Sequence, residues 1–573
     1  MRKLIVFISL MCCAAQVVAQ HIYFKGRYEY QHNDLALNYG NLLLPDGYLL
    51  YGSIKTPMIN EYSAAFLKID PFGNKIDSLI INEPNKLIEC KSVFALQNGF
   101  IAVCHKGTNG GGNRYDPYII RLNANLDTLW TKTIVFGSDT LPFVSGAMMT
   151  RDSNIVVYGD VLDSIPTSGG IMILKIDTLG NLMKFKSFIF QNEYQGCSSV
   201  DQTLDGGFII GAGSTYYHPL GLGYYKQLAI KTDSLFNEQW NYIFGRNDAN
   251  DGGFLVKAMK DSTIIIYSTT PTQAGVSPPK DWYFRKVTYS NQLIWQNQHG
   301  PADTDAWGFG LTEVGDSTFY LFRQTTNNPK PIISRYDASN GNLLWSRESR
   351  VGWGAHIGAS LNFVPADSGF IISGFYQLYM GGIYPADTGS QDIFVIKTNC
   401  EGFADPPLAD FIPFSFPGFE VVLDNNTMYY TSMQINWGDG EVEYFGIHSD
   451  TLISHYYQTQ GTYTVTLIAN ACGDSDTTSM SVVASTLGLD ENDKLKIKIW
   501  PNPADDILNI QLPVVEAQFD IRVYDATGRI ILSTSNSNAD YAKLNINELP
   551  SGVYLLIIST RNGKQYFNKL IKN

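Results

Sequence analysis

Eight histidines, His21, His32, His105, His218, His299, His356, His448 and His455, are scattered over the 573 residues without an H-E-x-x-H pair. No G-x-S-x-G elbow, P-loop or G-x-G-x-x-G accompanies them. No linear motif therefore encodes zinc hydrolysis, an activated serine or a phosphate cradle. Asp160, Asp248, Asp251, Asp303 and Asp305 are the carboxylates that separate segments could bring together, although aspartate in loops ordinarily serves turns. Aromatic side chains give the stronger signal. Tyr115 follows Gly110-Gly111-Gly112; Tyr216, Tyr217, Tyr224 and Tyr225 flank Gly221-Leu222-Gly223; Trp282 follows Pro278-Pro279; Tyr376, Tyr379 and Tyr384 surround Gly381-Gly382. Loop-borne rings on a rigid frame offer large stacking area at low conformational cost. These nine residues form a candidate ligand-binding face.

The elements that must carry these loops come from an internal repeat. An apolar strand after a turn recurs at Gly47, Gly99, Asn154, Gly207, Thr263, Thr318 and Gly369, at intervals of 51 to 56 residues. A second strand ends on a basic residue at Lys68, Arg121, Lys175, Lys231, Lys286, Arg335 and Lys397, and a third carries Trp130, Phe185, Trp240, Trp295 or Trp345. Seven such units over residues 20–403 predict a seven-bladed β-propeller. The seventh unit lacks its aromatic strand, while His21 to Tyr28 form an orphan strand that is expected to complete it and remove the open edge. The connections between the apolar strand and the basic-ended strand must then pool on one rim, which places the nine aromatics together. The reading favours a non-enzymatic surface protein that binds a glycan, a matrix polymer or a partner protein. The alternative is a propeller-type polysaccharide hydrolase or lyase with carboxylates at the central channel.

Composition narrows the class. A charge of −13 excludes a nucleic-acid partner, whose phosphates reward Lys and Arg. Low charge content, 17%, with 51 Gly, 34 Tyr and 31 Phe favours a β-rich exported chain. Met1-Arg2-Lys3, the apolar run Leu4 to Met11 and the small residues before Gln20 predict a signal peptide over residues 1–19. That run is too short to span a bilayer, and the chain is expected not to be transmembrane. Beyond Cys12 and Cys13, five cysteines remain without zinc spacing. Cys90 with Cys104, and Cys400 with Cys472, are candidate disulfide pairs, leaving Cys197 over. No cofactor motif is present, and structural calcium is left open.

Three family resemblances organise the remainder. Ile499-Trp500-Pro501-Asn502-Pro503, Val523-Tyr524-Asp525-Ala526-Thr527-Gly528-Arg529 and Leu549-Pro550-Ser551-Gly552-Val553-Tyr554 stand in the order of the type A C-terminal sorting domain of the Bacteroidetes type IX secretion system, which residues 495–573 resemble. The resemblance implies a small β-sandwich, the type IX machinery as partner, processing within the linker 486–494, and a mature protein that is secreted or held on the outer surface. Ile435-Asn436-Trp437-Gly438-Asp439-Gly440, His455-Tyr456-Tyr457 and Gly461 to Leu467 are similar to the PKD domain, implying an Ig-like sandwich over 406–485 in which Asp439 is a turn residue. Asp-Ser and Asp-Thr tripeptides are similar to O-glycosylation acceptors of exported Bacteroidetes proteins, with Ser78, Thr128 and Ser234 the candidates.

Overall fold

The computed structural model describes residues 21–28, 35–56, 61–108, 115–137, 140–163, 169–189, 194–217, 223–245, 250–271, 280–300, 306–325, 330–349, 355–377, 391–416, 418–447, 452–485, 497–525, 529–561 and 565–572. These residues form strands and turns with no helix among them. The chain divides into two compact units, Met1–Asp405 and Pro406–Asn573.

The first unit is all-β and propeller-like. Six successive antiparallel meanders of four strands run Leu35–Ile81 (I), Lys86–Thr133 (II), Thr140–Phe188 (III), Tyr194–Phe244 (IV), Gly252–His299 (V) and Ala306–Glu348 (VI). A seventh, Ala355–Thr398 (VII), contributes three strands of its own. The second strand of each meander is a continuous apolar run, as in Ile101-Ala102-Val103, Ile264-Ile265-Ile266 and Phe370-Ile371-Ile372, because both of its faces are covered. The fourth strands alternate exposed and half-buried residues, as an outer edge facing water should. Seven apolar clusters join the meanders pairwise: I with II, II with III, and so on to VI with VII, and finally VII with I. The ring is thereby closed.

The missing fourth strand of meander VII is Phe24–Tyr28, which pairs antiparallel with Ile393 to Lys397. Phe24 lies opposite Lys397 in the register that sets Trp130 opposite Arg121, Trp240 opposite Lys231, Trp295 opposite Lys286 and Trp345 opposite Arg335. It fills the same position in space. A Cβ added to Gly73, at φ +85°, would lie 2.6 Å from the Phe24 ring, and one added to Gly341 would lie 2.4 Å from Trp295. Each outer aromatic thus packs on the last turn of the following meander. Tyr28 donates to the Gly73 carbonyl at 2.6 Å, and Arg27 pairs with the buried Asp392. Asn362 donates to both the carbonyl and the side-chain oxygen of Asn41, and so stitches meander VII to meander I.

In six of the seven meanders the repeated basic residue closes a hairpin of its own meander, whereas Arg335 of meander VI reaches Glu401 beyond the last strand of meander VII. Lys68 pairs with Asp46, Lys175 with Asp152, Lys231 with Asp205, Lys286 with Asp261 and Lys397 with Asp367, each carboxylate coming from the hairpin between the first and second strands. Arg121 instead donates to the carbonyls of Asn98 and Phe100. Hydrogen bonds from Lys175 and Thr150 hold Asp152 well below the ordinary carboxylate range. At Asp205 and Asp261 partial burial, which raises the pKa, is outweighed by hydrogen bonds from Thr203 with Lys231 and from Lys286 with Thr263.

In the second unit, a three-stranded sheet (Phe411–Phe416, Glu420–Asn425, Leu452–Tyr456) and a four-stranded sheet (Ser432–Asn436, Val442–Phe445, Gly461–Ala471, Asp474–Ala484) share one core around the fully buried Trp437. His455 stacks on Trp437 at 4.6 Å and pairs with Asp439 at 2.7 Å, while the other Asp439 oxygen accepts from the Glu441 amide. Asp439 therefore serves its turn. The C-terminal part bends the long strand Ile507–Tyr524 at a register break between Gln511 and Glu516. Leu508 and Ile510 from one half then share a core with Ile521 and Val523 from the other. Asn502 donates to the Lys569 carbonyl and accepts from the Ile571 amide, Arg529 pairs with Asp525, and Tyr554 donates to the Pro550 carbonyl. The three motif elements are thus staples of this fold.

Two outcomes follow. Asp152, Asp205 and Asp261 have depressed folded pKa values, so their stabilisation is fully present above the unfolded carboxylate pKa of about 4 and is lost as pH falls through the folded values; urea midpoints of the first unit should fall between pH 5 and pH 3, and a flat profile would contradict the pairing. Asp367→Ala leaves the fully buried Lys397 ammonium without its partner, and should cost about 3–5 kcal/mol by chemical denaturation.

Candidate functional site

In an antiparallel meander the connections after the second and fourth strands emerge on one rim. The first strands, which pack side by side around the ring, carry a feature along their length that the repeat does not advertise. Each has a β-bulge at the equivalent place, skipping Tyr39, Lys91, Ser145, Ser198, Gly253, Phe309 and Ala359 in meanders I to VII. A bulge frees one side chain from the pleat and re-aims it. Only Lys91 among the seven is charged, and Tyr39 is its neighbour on the adjacent meander.

These two residues anchor a polar cluster toward that rim. The Lys91 ammonium lies 3.9 Å from the centre of the Tyr39 ring and 2.6 Å from Glu89. Glu89 also accepts from the Tyr39 hydroxyl at 3.0 Å and from His105 Nε2 at 3.2 Å. His105, on the second strand of meander II, packs against Tyr115 at 5.0 Å and Phe143 at 4.8 Å, and the last two rings meet edge to face at 5.5 Å. Meanders I, II and III thus contribute to one site.

Its electrostatics follow from burial around one carboxylate. Burial alone would raise the Glu89 pKa, but hydrogen bonding to His105 and the charge of Lys91 hold it well below the usual range. Burial lowers the His105 pKa, and the hydrogen bond to Glu89 only partly restores it. The imidazole is neutral at neutral pH with Nε2–H directed at Glu89, which leaves Nδ1 as its basic nitrogen. Tyr39 is pushed far up by burial and the adjoining Glu89 charge, and keeps its proton. The cluster therefore sets a neutral imidazole, a protonated phenol and a cation around a single anion.

The predicted aromatic face is partly corrected. Tyr115 belongs to the cluster, and Tyr225 is 42% exposed. Trp282 is 4% exposed, with its indole donating to the Tyr336 hydroxyl and Arg323 lying 4.4 Å above its ring; it is core between meanders V and VI. Tyr376 is 3% exposed beneath Arg27. Both fall within strands, Lys280–Thr288 and Gly369–Gln377, rather than in the loops beside them. Tyr216, Tyr217 and Tyr224 lie in paired strands, with Tyr216 opposite Tyr224, while their side chains, together with Tyr379 and Tyr384, fall outside the described residues. Asp160 accepts from the Cys197 amide, Asp251 is buried, and Asp248, Asp303 and Asp305 fall outside the described residues. Ser78 is half-buried, and Thr128 and Ser234 are exposed.

Cys90 and Cys104 face each other in register, as expected, but are free thiols. Cys197 is also free, and Cys400 and Cys472 are disulfide-bonded. Glu89, Lys91, Tyr39 and Phe143 were not anticipated from the sequence. The available signal was Glu89-Cys90-Lys91, two opposite charges inside a segment that the repeat assigns to an inner strand.

Residues 498–573 match the secretion system C-terminal sorting domain. This domain marks the chain for secretion or attachment at the outer surface. Over 110 residues, 19% of this chain and 21% of the relative, the chain is 30% identical to an endo-acting ulvan lyase of Formosa agariphila. Over 107 residues it is 22% identical to ulvan lyase NLR42 of Nonlabens ulvanivorans, covering 19% and 20% of the two chains. The chain thus spans about a fifth of the length of these curated relatives. Among solved structures, polysaccharide lyase Uly1 overlays 68% of this chain and 94% of its own at 10% identity with a TM-score of 0.44. The β-propeller domain of the Trilobed protease from Pyrococcus furiosus overlays 64% and 96% at 9% identity with a TM-score of 0.36. No helix among the described residues is long and apolar enough to cross a membrane.

Glu89→Gln should lower the His105 pKa further, since it removes the one anion that favours imidazolium while Lys91 remains. An NMR titration of the His105 ring reads this directly, and a rise would contradict the assigned geometry.

Proposed function

We propose that the first unit is a seven-bladed β-propeller that acts outside the cell on an acidic polysaccharide as a β-eliminating lyase. The observation that carries this reading is the cluster of Lys91, Glu89, His105 and Tyr39. Elimination from a uronate needs a positive charge near the carboxylate, a base for the proton at C5 and a donor for the departing oxygen at C4. In this reading Lys91 attracts the carboxylate, and His105 Nδ1 takes the C5 proton with Glu89 holding its tautomer. Tyr39 or Tyr115 protonates the C4 oxygen as the C4–O bond breaks and a C4–C5 double bond forms. The two curated relatives named as ulvan lyases support the substrate class over the fifth of this chain that they match.

The second reading is a binding protein without chemistry, and the burial of His105, 1% exposed, favours it. There the same rim, with Tyr115 and Tyr225, stacks on sugar rings. In either case residues 406–485 act as a PKD-like spacer, residues 1–19 and the C-terminal sorting domain are removed, and the linker 486–494 holds the second cut.

The purified protein incubated with ulvan should produce the ultraviolet absorbance of an unsaturated uronate together with new reducing ends. His105→Ala and Tyr39→Phe should each reduce that rate by about 100-fold or more. Reducing ends without the chromophore would identify a hydrolase. Retained glycan binding with neither signal would establish the binding reading.

A further inference from the structure

We propose that Cys90 and Cys104 join in a disulfide when the chain folds outside the cytoplasm, clamping the two strands that carry the rim cluster. The two residues are direct partners across the first and second strands of meander II. Opposed residues in an antiparallel pair have Cα atoms about 4.5 or 5.5 Å apart, and a disulfide accepts about 4.4–6.8 Å. Side chains at opposed positions share one face of the sheet, and both thiols here are fully buried against each other in the core between meanders I and II. Among the described residues no other cysteine competes for either. Cys197 sits in the first strand of meander IV, and Cys400 and Cys472 are already disulfide-bonded. The bonded cysteines and the sorting domain both place maturation in an oxidising compartment.

Burial dictates when the bond forms. The thiolate is the attacking species, and neither sulfur is reachable in the folded unit. The bond therefore forms before meander II closes. One cysteine thiolate attacks a disulfide-bearing oxidant and gives a mixed disulfide; the other displaces the oxidant, which leaves as a dithiol. The two protons and two electrons given up by the cysteines both end on the reduced oxidant. Once folded, the same burial protects the bond from exchange.

The placement has a local consequence. Glu89 and Lys91 flank Cys90, and His105 follows Cys104. The bond would fix the separation of the strands that position the carboxylate, the ammonium and the imidazole, immediately beside the Lys91 bulge. This inference rests on register, burial and compartment, and stands whether or not the rim is catalytic.

Counting thiols tests it. Mature protein recovered after export, denatured and alkylated without reductant, should show one modified cysteine, Cys197, and a peptide linking Cys90 to Cys104 by mass. The exported Cys104→Ser variant should show two, Cys90 and Cys197. The wild-type count decides even where the variant fails to fold, because the labelling is done on denatured chain. Three alkylated cysteines in the exported wild-type protein, or a peptide linking Cys90 or Cys104 to any other cysteine, would overturn the proposal.

Discussion

The pairing of Phe24–Tyr28 with Ile393 to Lys397 is the constraint on which the first unit depends. Every other meander is contiguous in sequence and could form from its own turns, but meander VII is incomplete until the chain's two distant segments meet. That pairing brings three kinds of interaction at once. There is a backbone ladder, an aromatic plug at Phe24 over Gly73, and an ion pair between Arg27 and the buried Asp392. Without the ladder the third strand of meander VII would present unpaired amides and carbonyls at an edge. Closure also fixes the side-by-side packing of the first strands, and with it the approach of meanders I, II and III that builds the rim cluster.

Much of this was legible because the repeat reports local chemistry. A turn, an apolar run, a basic residue and an outer aromatic recur at near-constant spacing, and each has a contact that explains it. In six meanders the basic residue closes the preceding hairpin, and the aromatic covers the following turn. The tail was legible for a similar reason, since Asn502, Arg529 and Tyr554 each satisfy a specific partner within the fold.

The rim was less legible. Trp282 and Tyr376 sit next to Gly-rich or Pro-rich stretches, and composition assigns them to loops; the strands extend further than those stretches suggest, and burial takes both rings into the core. Tyr39 and Lys91 are not legible because a bulge leaves no residue-type signature when its occupants vary from meander to meander. Alternation alone would have pointed both side chains elsewhere. The contribution of Glu89 was invisible for another reason: its three partners lie at 39, 91 and 105, and only the packing of two meanders brings Tyr39 to it.

The ring of bulges separates what must stay constant from what can vary. The bulge recurs at seven equivalent backbone positions of the first strands, while the Lys–Asp hairpins and outer aromatics that hold the frame lie elsewhere in each meander. Their present occupants are Tyr, Lys, Ser, Ser, Gly, Phe and Ala. Such a frame behaves as a set of interchangeable sockets. Substitution at one of them exchanges a charge, ring or hydroxyl at a fixed backbone position, so that a related chain could acquire a different ligand without altering its scaffold.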